Sequence, residues 1–257
     1  MTKTIFVTEG ADGCGEYIAR ALADAGHIVY VGKGQDGIEV ELASTGADDN
    51  TEAGHQGLRT VTFEALDQHS IAAAVRTIAD EADGIDVVIY TASPTTYGPV
   101  ESFTPYQLSQ VYDMGVLSVQ RITRAVLPAM RERRDGLLIW VGANVDRGPA
   151  PFTGPGHAVG AALRQLATSY AAELSAFGID ATFLTYNPGQ TQEASTAWSL
   201  QPGDSETARA YKQVVKDPVT LLEQCSLDSA TYAKKVAECV SGIIDAPQGA
   251  RPAHVSI

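Results

Sequence analysis

The chain has 257 residues, 44% of them hydrophobic and 19% charged, which suits one large α/β domain and excludes a disordered or fibrous chain. Its formal net charge of −13 opposes binding to nucleic-acid phosphates or anionic membranes. No apolar run reaches the roughly 18 residues of a membrane span, and MTKTIFVTEG lacks the basic-then-apolar order of a secretory signal, so a cytoplasmic protein is expected.

TIFVT (4–8) reads as a strand, followed by a helix with Ile18, Leu22 and Ala25 at helical spacing and a stop at Gly26. HIVYVG (27–32) is a second strand, the polar, Gly-rich stretch 33–57 a loop, and RTVTFEA (59–65) a third strand. SIAAAVRTIADEA (70–82) is a helix opened by Ser70, and IDVVIYTAS (85–93) an apolar fourth strand. A long helical pattern runs from about Thr104 to Arg133, with Pro128 marking a break, and its terminal RERR (131–134) complements the helix dipole. GLLIWVGA (136–143) is a fifth strand, FTGPGHAVGAALRQLATSYAAEL (152–174) a turn and a long helix, and IDATFLTYNPG (179–189) a sixth strand. Helices near 205–224 and 229–244 precede a short final strand in RPAHVSI (251–257). Apolar strands alternating with helices predict a single-domain, Rossmann-like, doubly wound parallel sheet over 1–257, helices on both faces. Its functional crevice lies outside the carboxyl ends of the strands.

Cys14, Cys225 and Cys239 are scattered and without CxxC spacing, and the five histidines (27, 55, 69, 157, 254) show no paired-ligand spacing. Neither a disulfide framework nor a metal site is expected. In the first strand–helix turn, TEGADGCG (8–15), Gly13 and Gly15 have the spacing that lets backbone approach a pyrophosphate at a helix N-terminus. Glu9 and Asp12 oppose such an anion, and a turn kept only for helix–strand packing explains the glycines equally. After the second strand, Gly32-Lys33 stands where an acid would grip an adenosine ribose; Lys33 could instead meet a 2′-phosphate or be a solvated loop lysine.

Across nearly its whole length the order VTEGADGCG, IVYVG, DVVIYTAS, YDMGVLSVQRITRAVLPAM, GLLIWVGA, SYAAEL, GIDATFLTYNPG resembles the short-chain dehydrogenase/reductase family. The resemblance implies a nucleotide site at Thr8, Gly10, Gly13, Gly15, Glu64, Thr91, Pro188 and Gly189, with Glu9 replacing the family's first turn glycine. It also implies a substrate-covering segment at 190–230, and Gln192 where a carboxamide-holding Thr often stands. The catalytic Asn-Ser-Tyr-Lys tetrad is missing: counted back from Ala172-Glu173-Leu174, its positions hold Gly115, Ala143 (with Gly142 before it), Gly156 and Gly160. Shifting the register by one residue brings His157 and Ala161 to the Tyr and Lys positions and restores nothing. Tyr170 lies about four turns further along the helix. Hydride transfer to a carbonyl needs an acid of suitably lowered pKa, and glycine offers only backbone groups.

The polar side chains left near the crevice are Thr91, Tyr97, Asp113, Asn144, Asp146, Arg147, His157 and Tyr186. His157 titrates in the range of a general acid or base. Tyr186 ends a central strand, and Asp146 with Arg147 could bind a polar substrate. Structural or solvated roles stay open for each, and Trp140 and Trp198 read as packing residues. Ser93 and Ser169 have no visible base partner.

Three readings remain. One is a non-redox small-molecule enzyme, such as a lyase, isomerase or dehalogenase-like catalyst with an enlarged pocket, using His157, Tyr186 and Asp146. Another is a noncatalytic pseudoenzyme subunit pairing with an active homologue. The last is an atypical NAD(P)-dependent oxidoreductase; cofactor is therefore expected to be none or weakly bound NAD(P). The resemblance implies a homo- or hetero-oligomer through the fourth and fifth helices, whose apolar faces carry Val111, Leu117, Ile122, Val126, Leu163 and Leu166.

Overall fold

A computed structural model describes residues 1–9, 13–34, 57–91, 95–143, 152–186, 199–212 and 229–257. Most of the expected loop at 33–57, together with Gly10, Asn144, Asp146, Arg147, Pro188, Gly189, Gln192 and Trp198, lies outside them.

The first half runs β1 (Thr4–Val7), α1 (Gly13–Asp24), β2 (Ile28–Lys33), β3 (Leu58–Thr62), α2 (Gln68–Ala82), β4 (Val87–Tyr90), β5 (Thr95–Thr96) and α3 (Pro105–Tyr112). The rest runs α4 (Ser118–Arg133), β6 (Gly136–Ala143), α5 (Gly154–Leu174), β7 (Ile179–Tyr186), β8 (Ser199–Leu200), α6 (Ser205–Lys212), α7 (Ser229–Asp245) and β9 (His254–Ser256). The seven-stranded sheet has the order β3-β2-β1-β4-β6-β7-β9, and all its described pairs are parallel. The doubly wound α/β expectation therefore holds. The order reverses between β1 and β4, the switch point at which a fold of this kind places its crevice, at the carboxyl ends of the strands.

A parallel sheet must be covered on both faces, so its strands carry apolar side chains on both sides. One face packs Phe6, Tyr30, Val88, Tyr90, Leu138 and Trp140 against α2, α4 and α5. The other packs Ile5, Val7, Val29, Ile89 and Ile139 against α1 and α7. Each buried aliphatic or aromatic side chain stabilises by about 1.5–3 kcal/mol relative to exposure. At β2, a side chain on Gly32 would run into the Thr8 carbonyl oxygen and the Phe63 ring, so β1, β2 and the end of β3 close tightly there.

Two local expectations are corrected. Asp67, not Ser70, caps α2: its carboxylate accepts from the His69 and Ser70 amides at 3.0 and 3.2 Å. The Ser70 hydroxyl instead accepts the Glu64 amide at 2.9 Å. The Thr104–Arg133 helix is interrupted by a π-helical turn at Asp113–Leu117, while Pro128 sits inside an unbroken α4. Asp113 ion-pairs with Arg121 at 2.6 Å, away from any free ligand role.

The apolar residues expected to pair subunits face inward. Val111, Ile122, Val126 and Leu163 are buried in the chain's own core, Leu166 is half-buried, and Leu117 alone of the six is exposed. Core packing makes the same helical stripe that an interface would. Among the described residues, no helix is long and apolar enough to cross a membrane, and neither Cys14 nor Cys239 is in a disulfide.

The edge strand β9 is fastened by a buried ion pair. Arg251 Nη1 donates to Asp180 Oδ2 at 2.8 Å, their side chains only 7% and 14% exposed, and Arg251 Nε donates to the Ile243 carbonyl at the end of α7. Arg251→Met leaves a buried carboxylate without its partner and should cost about 3 kcal/mol in urea unfolding. Asp180→Asn with Arg251→Met should cost less than the two single changes summed, because the second change removes the orphaned charge.

Candidate functional site

The site is assembled where β1, β4, β6 and β7 end. Thr8, buried at the end of β1, accepts the Thr91 amide on its hydroxyl at 3.4 Å, and Thr91 Oγ1 donates to the Glu9 carbonyl at 2.5 Å. The two threonines tie the first strand–helix turn to the end of β4. Gly13 starts α1 and Gly15 is buried in its first turn, beside Cys14, whose thiol burial pushes up to about 11. That thiol is not a nucleophile at neutral pH. Glu64 and Lys33 lie half-buried just beyond β3 and at the end of β2.

Tyr90 follows none of the crevice chemistry, because its ring turns into the core. It stacks on Trp140 at 5.3 Å between centroids with 7° between planes, and Trp140 stacks on Tyr170 at 5.8 Å. The hydroxyls end on partners: Tyr90 on Thr123 Oγ1 at 2.8 Å and Tyr170 on Gln120 Oε1 at 2.5 Å. Burial drives the Tyr90 hydroxyl far above its ordinary pKa, so it stays protonated. Stacked pairs contribute about 0.5–1.5 kcal/mol beyond area burial, and the packing expectation for Trp140 is met.

The first turn of α5 faces the loop that follows β4. The Gly156 amide donates to Thr96 Oγ1 at 3.0 Å, the Gly98 amide to the Phe152 carbonyl at 2.8 Å, and a side chain on Gly154 would strike Val100. The Tyr97 and Phe152 rings meet at 6.1 Å. Phe152 holds φ +70°, a left-handed conformation unusual for a bulky residue and costing on the order of 1 kcal/mol. Gly160 is buried one turn on, Gly115 is buried in the π-helical turn, and Ala143 ends β6 in register with Tyr186 at the end of β7. Gly115, Ala143, Gly156 and Gly160 thus bring backbone, without polar side chains, to this region.

His157 is half-buried in that same turn, Nε2 3.4 Å from Thr153 Oγ1. Burial lowers its pKa below the ordinary 6.5, and a helix N-terminus further disfavours the imidazolium. A neutral imidazole at pH 7 can accept a proton. At the pyrophosphate end expected from the sequence, Gly13 and Gly15 lie in the first turn of α1, while Thr8 and Thr91 bond to protein partners. At the expected nicotinamide end, Gly156 and Gly160 have no side chain to offer a ribose, and the Gly156 amide is engaged by Thr96.

Sequence reasoning missed β5 and β8. Their parallel pairing, Thr95 with Ser199 and Thr96 with Leu200, sets residues 199–200 of the expected covering segment beside the loop that touches α5. Two-residue strands carry no periodicity to read. At the opposite, amino-terminal end of the sheet, a cleft of about 500 Å³ is lined by Arg134, Ser175, Asp180, Gln248, Gly249 and Arg251. Several of these groups bond one another, and the cleft lies far from the crevice. Among the described residues no group of acidic, His or Cys side chains is arranged to hold a metal.

A model of the short chain dehydrogenase family matches residues 3–202. The ketoacyl reductase HetN of Nostoc is 28% identical over 138 residues, which take in 53% of this chain and 46% of that one, so the chain matches about half that relative's length. The cyclopentanol dehydrogenase of Comamonas testosteroni is 27% identical over 187 residues, 69% of each chain. Among solved structures, a short-chain dehydrogenase from Streptomyces avermitilis superposes with a TM-score of 0.80 at 21% identity, covering 100% of this chain and 89% of the other.

Stability should fall as the pH drops below about 6.5. His27 resembles His157 in being pushed down by burial, against an upward pull from Asp245, and its Nδ1 accepts the Lys3 amide at 3.1 Å. In that window the unfolded chain binds protons that the folded histidines refuse, so unfolding is favoured as the pH decreases. Urea midpoints between pH 7.5 and 5 should show this slope, and His157→Gln should flatten it.

Proposed function

The chain belongs to the short-chain dehydrogenase family, and on that scaffold we propose that it is a small-molecule enzyme of non-redox chemistry in which neutral His157 moves a proton. The observation that carries this reading is the first turn of α5: a glycine at 156 whose amide is bound to Thr96, followed directly by a half-buried imidazole. Catalysis of hydride transfer needs an acid beside the carbonyl oxygen, and the backbone at Gly156 offers none. Proton abstraction needs a base that is unprotonated at working pH, and burial keeps His157 in that form.

In this reading the substrate is a small polar molecule entering the crevice between β1 and β4. His157 takes or returns the proton at Nδ1 in a lyase, isomerase or dehalogenase-like step, while Nε2, facing the Thr153 hydroxyl, orients the ring. Tyr186, at the end of β7, and Asp146, outside the described residues, are the further candidates named from the sequence, and the glycines at 115, 156 and 160 widen the space for substrate. Thr8 and Thr91 hold the turn on the opposite wall.

A second reading is favoured by kinship, since the matched relatives are named as reductases and dehydrogenases. There the chain is an atypical NAD(P)-dependent oxidoreductase. Calorimetric titration with NAD(H) and NADP(H) separates the two. The non-redox reading expects weak or undetectable binding and no nucleotide-dependent turnover of alcohols or ketones.

For an activity found by screening elimination and isomerisation substrates, His157→Gln should lower kcat/KM about 100-fold or more. The acid limb of the wild-type profile should lie below pH 6.5, the ordinary histidine value. Hydride transfer that survives His157→Gln would establish the redox reading instead.

A further inference from the structure

The covering segment is fastened to α3 by one side chain. Gln107, in the first turn of that helix, completes a capping box: its amide donates to Thr104 Oγ1 at 3.2 Å, and its Oε1 accepts the Thr104 amide at 3.1 Å. The same carboxamide reaches across 94 positions of sequence. Nε2 donates to the Gln201 carbonyl at 2.7 Å, and Oε1 accepts the Gly203 amide at 2.8 Å.

A carbonyl at one residue and an amide two residues on point to the same side of an extended chain. Gln107 therefore presents its carboxamide as a peptide group would, and prolongs the short ladder of β5 with β8. Around it, the Pro202 ring packs on Gly98, the Asp204 amide donates to the Ser102 carbonyl at 3.1 Å, and Tyr211 Oη donates to Glu101 Oε2 at 2.8 Å. Leu200 packs on the core of α2, α4 and α5.

We propose that residues 199–204 form a strap over the crevice mouth and that Gln107 is its latch. Beneath the strap, Thr96 and Gly98 bond directly to Gly156 and Phe152, so what lifts the strap uncovers the turn that carries His157. The strap is held by the exposed Gln107 contacts, the short β5–β8 ladder and the Asp204–Ser102 backbone bond, with Leu200 as the apolar anchor. Such contacts sit at the low end of local opening energies. Gln107 joins the strap to the N-terminus of α3, so its carboxamide decides whether the ladder ends at Leu200 or runs on to Gly203. The latch acts whatever chemistry His157 performs.

Gln107→Glu tests this cleanly. Glutamate is a common residue at this position of a capping box and suits the helix N-terminus, so α3 is kept. The donor to Gln201 is lost, and a carboxylate oxygen faces the Gln201 carbonyl. Hydrogen exchange of the full chain at pH 7 should speed up about 10-fold or more in the peptide spanning 199–204, with α3 and the sheet within about twofold of the wild type. Carbethoxylation of His157 by diethyl pyrocarbonate should accelerate in parallel. Gly203→Ala, whose Cβ would stand 2.7 Å from Gln107 Oε1, should act in the same direction with the sequence of α3 unchanged. The proposal is overturned if strap exchange stays at the wild-type rate in both variants. It is equally overturned if the strap opens while His157 modification is unchanged, since the strap then covers something else. Loss of protection in α3 as large as that in the strap would reduce Gln107 to a helix cap.

Discussion

Every strand of the main sheet runs the same way, and that single constraint organises the molecule. Parallel neighbours need crossovers, crossovers lay helices on both faces, and both faces must then be apolar. The result is two cores that share the strands: Phe6, Tyr90 and Trp140 on one side, Ile5, Ile89 and Ile139 on the other. With all carboxyl ends on one edge, the connections leaving β1, β4, β6 and β7 converge there, and the order reversal between β1 and β4 keeps two of them apart. The crevice is a consequence of topology, and its chemistry depends on what those connections carry.

Among the described residues there, polar side chains are committed to protein partners. Thr8 and Thr91 spend their hydroxyls on each other's segments, and Thr96 spends its own on Gly156. Tyr90, the side chain nearest the end of β4, is committed to a stack with Trp140 and Tyr170 inside the core. A polar group bonded to protein is unavailable to substrate unless the substrate replaces that bond. His157 is distinguished by how loosely it is committed: its contact with Thr153 is long, and burial keeps it uncharged. Stability and function are divided between neighbouring residues in a single helical turn.

The strands, α1, α5 and the layer architecture were legible from apolar periodicity, because period two and period 3.6 survive any local detail. The features that shape the site were less so. Asp67 outcompetes Ser70 as a cap because its carboxylate reaches two amides at once. Pro128 leaves α4 intact, whereas the π-helical turn that follows α3, at Asp113–Leu117, has no composition signal. The inward stripe of Val111, Ile122, Val126 and Leu163 looks the same whether it meets a partner or the chain's own sheet. The β5–β8 pairing and the reach of Gln107 link residues far apart in sequence, and no local pattern encodes such a contact. The glycines at 115, 156 and 160 were visible as residues, but only the fold puts them near one another.

The π-helical turn between α3 and α4 sets a rotational phase. A π turn holds one residue more than the α-helical turn it replaces, and each α-helical residue advances the spiral by about 100°. Deleting one residue from Asp113–Leu117 would let α3 and α4 merge into one regular helix. Everything upstream would then swing by about 100° about the axis. Gln107 would leave the line that meets Gln201 and Gly203, and Val111 would leave the core. The irregular turn thus works as an angular offset: it lets a single helical rod face the sheet along one half and the covering segment along the other.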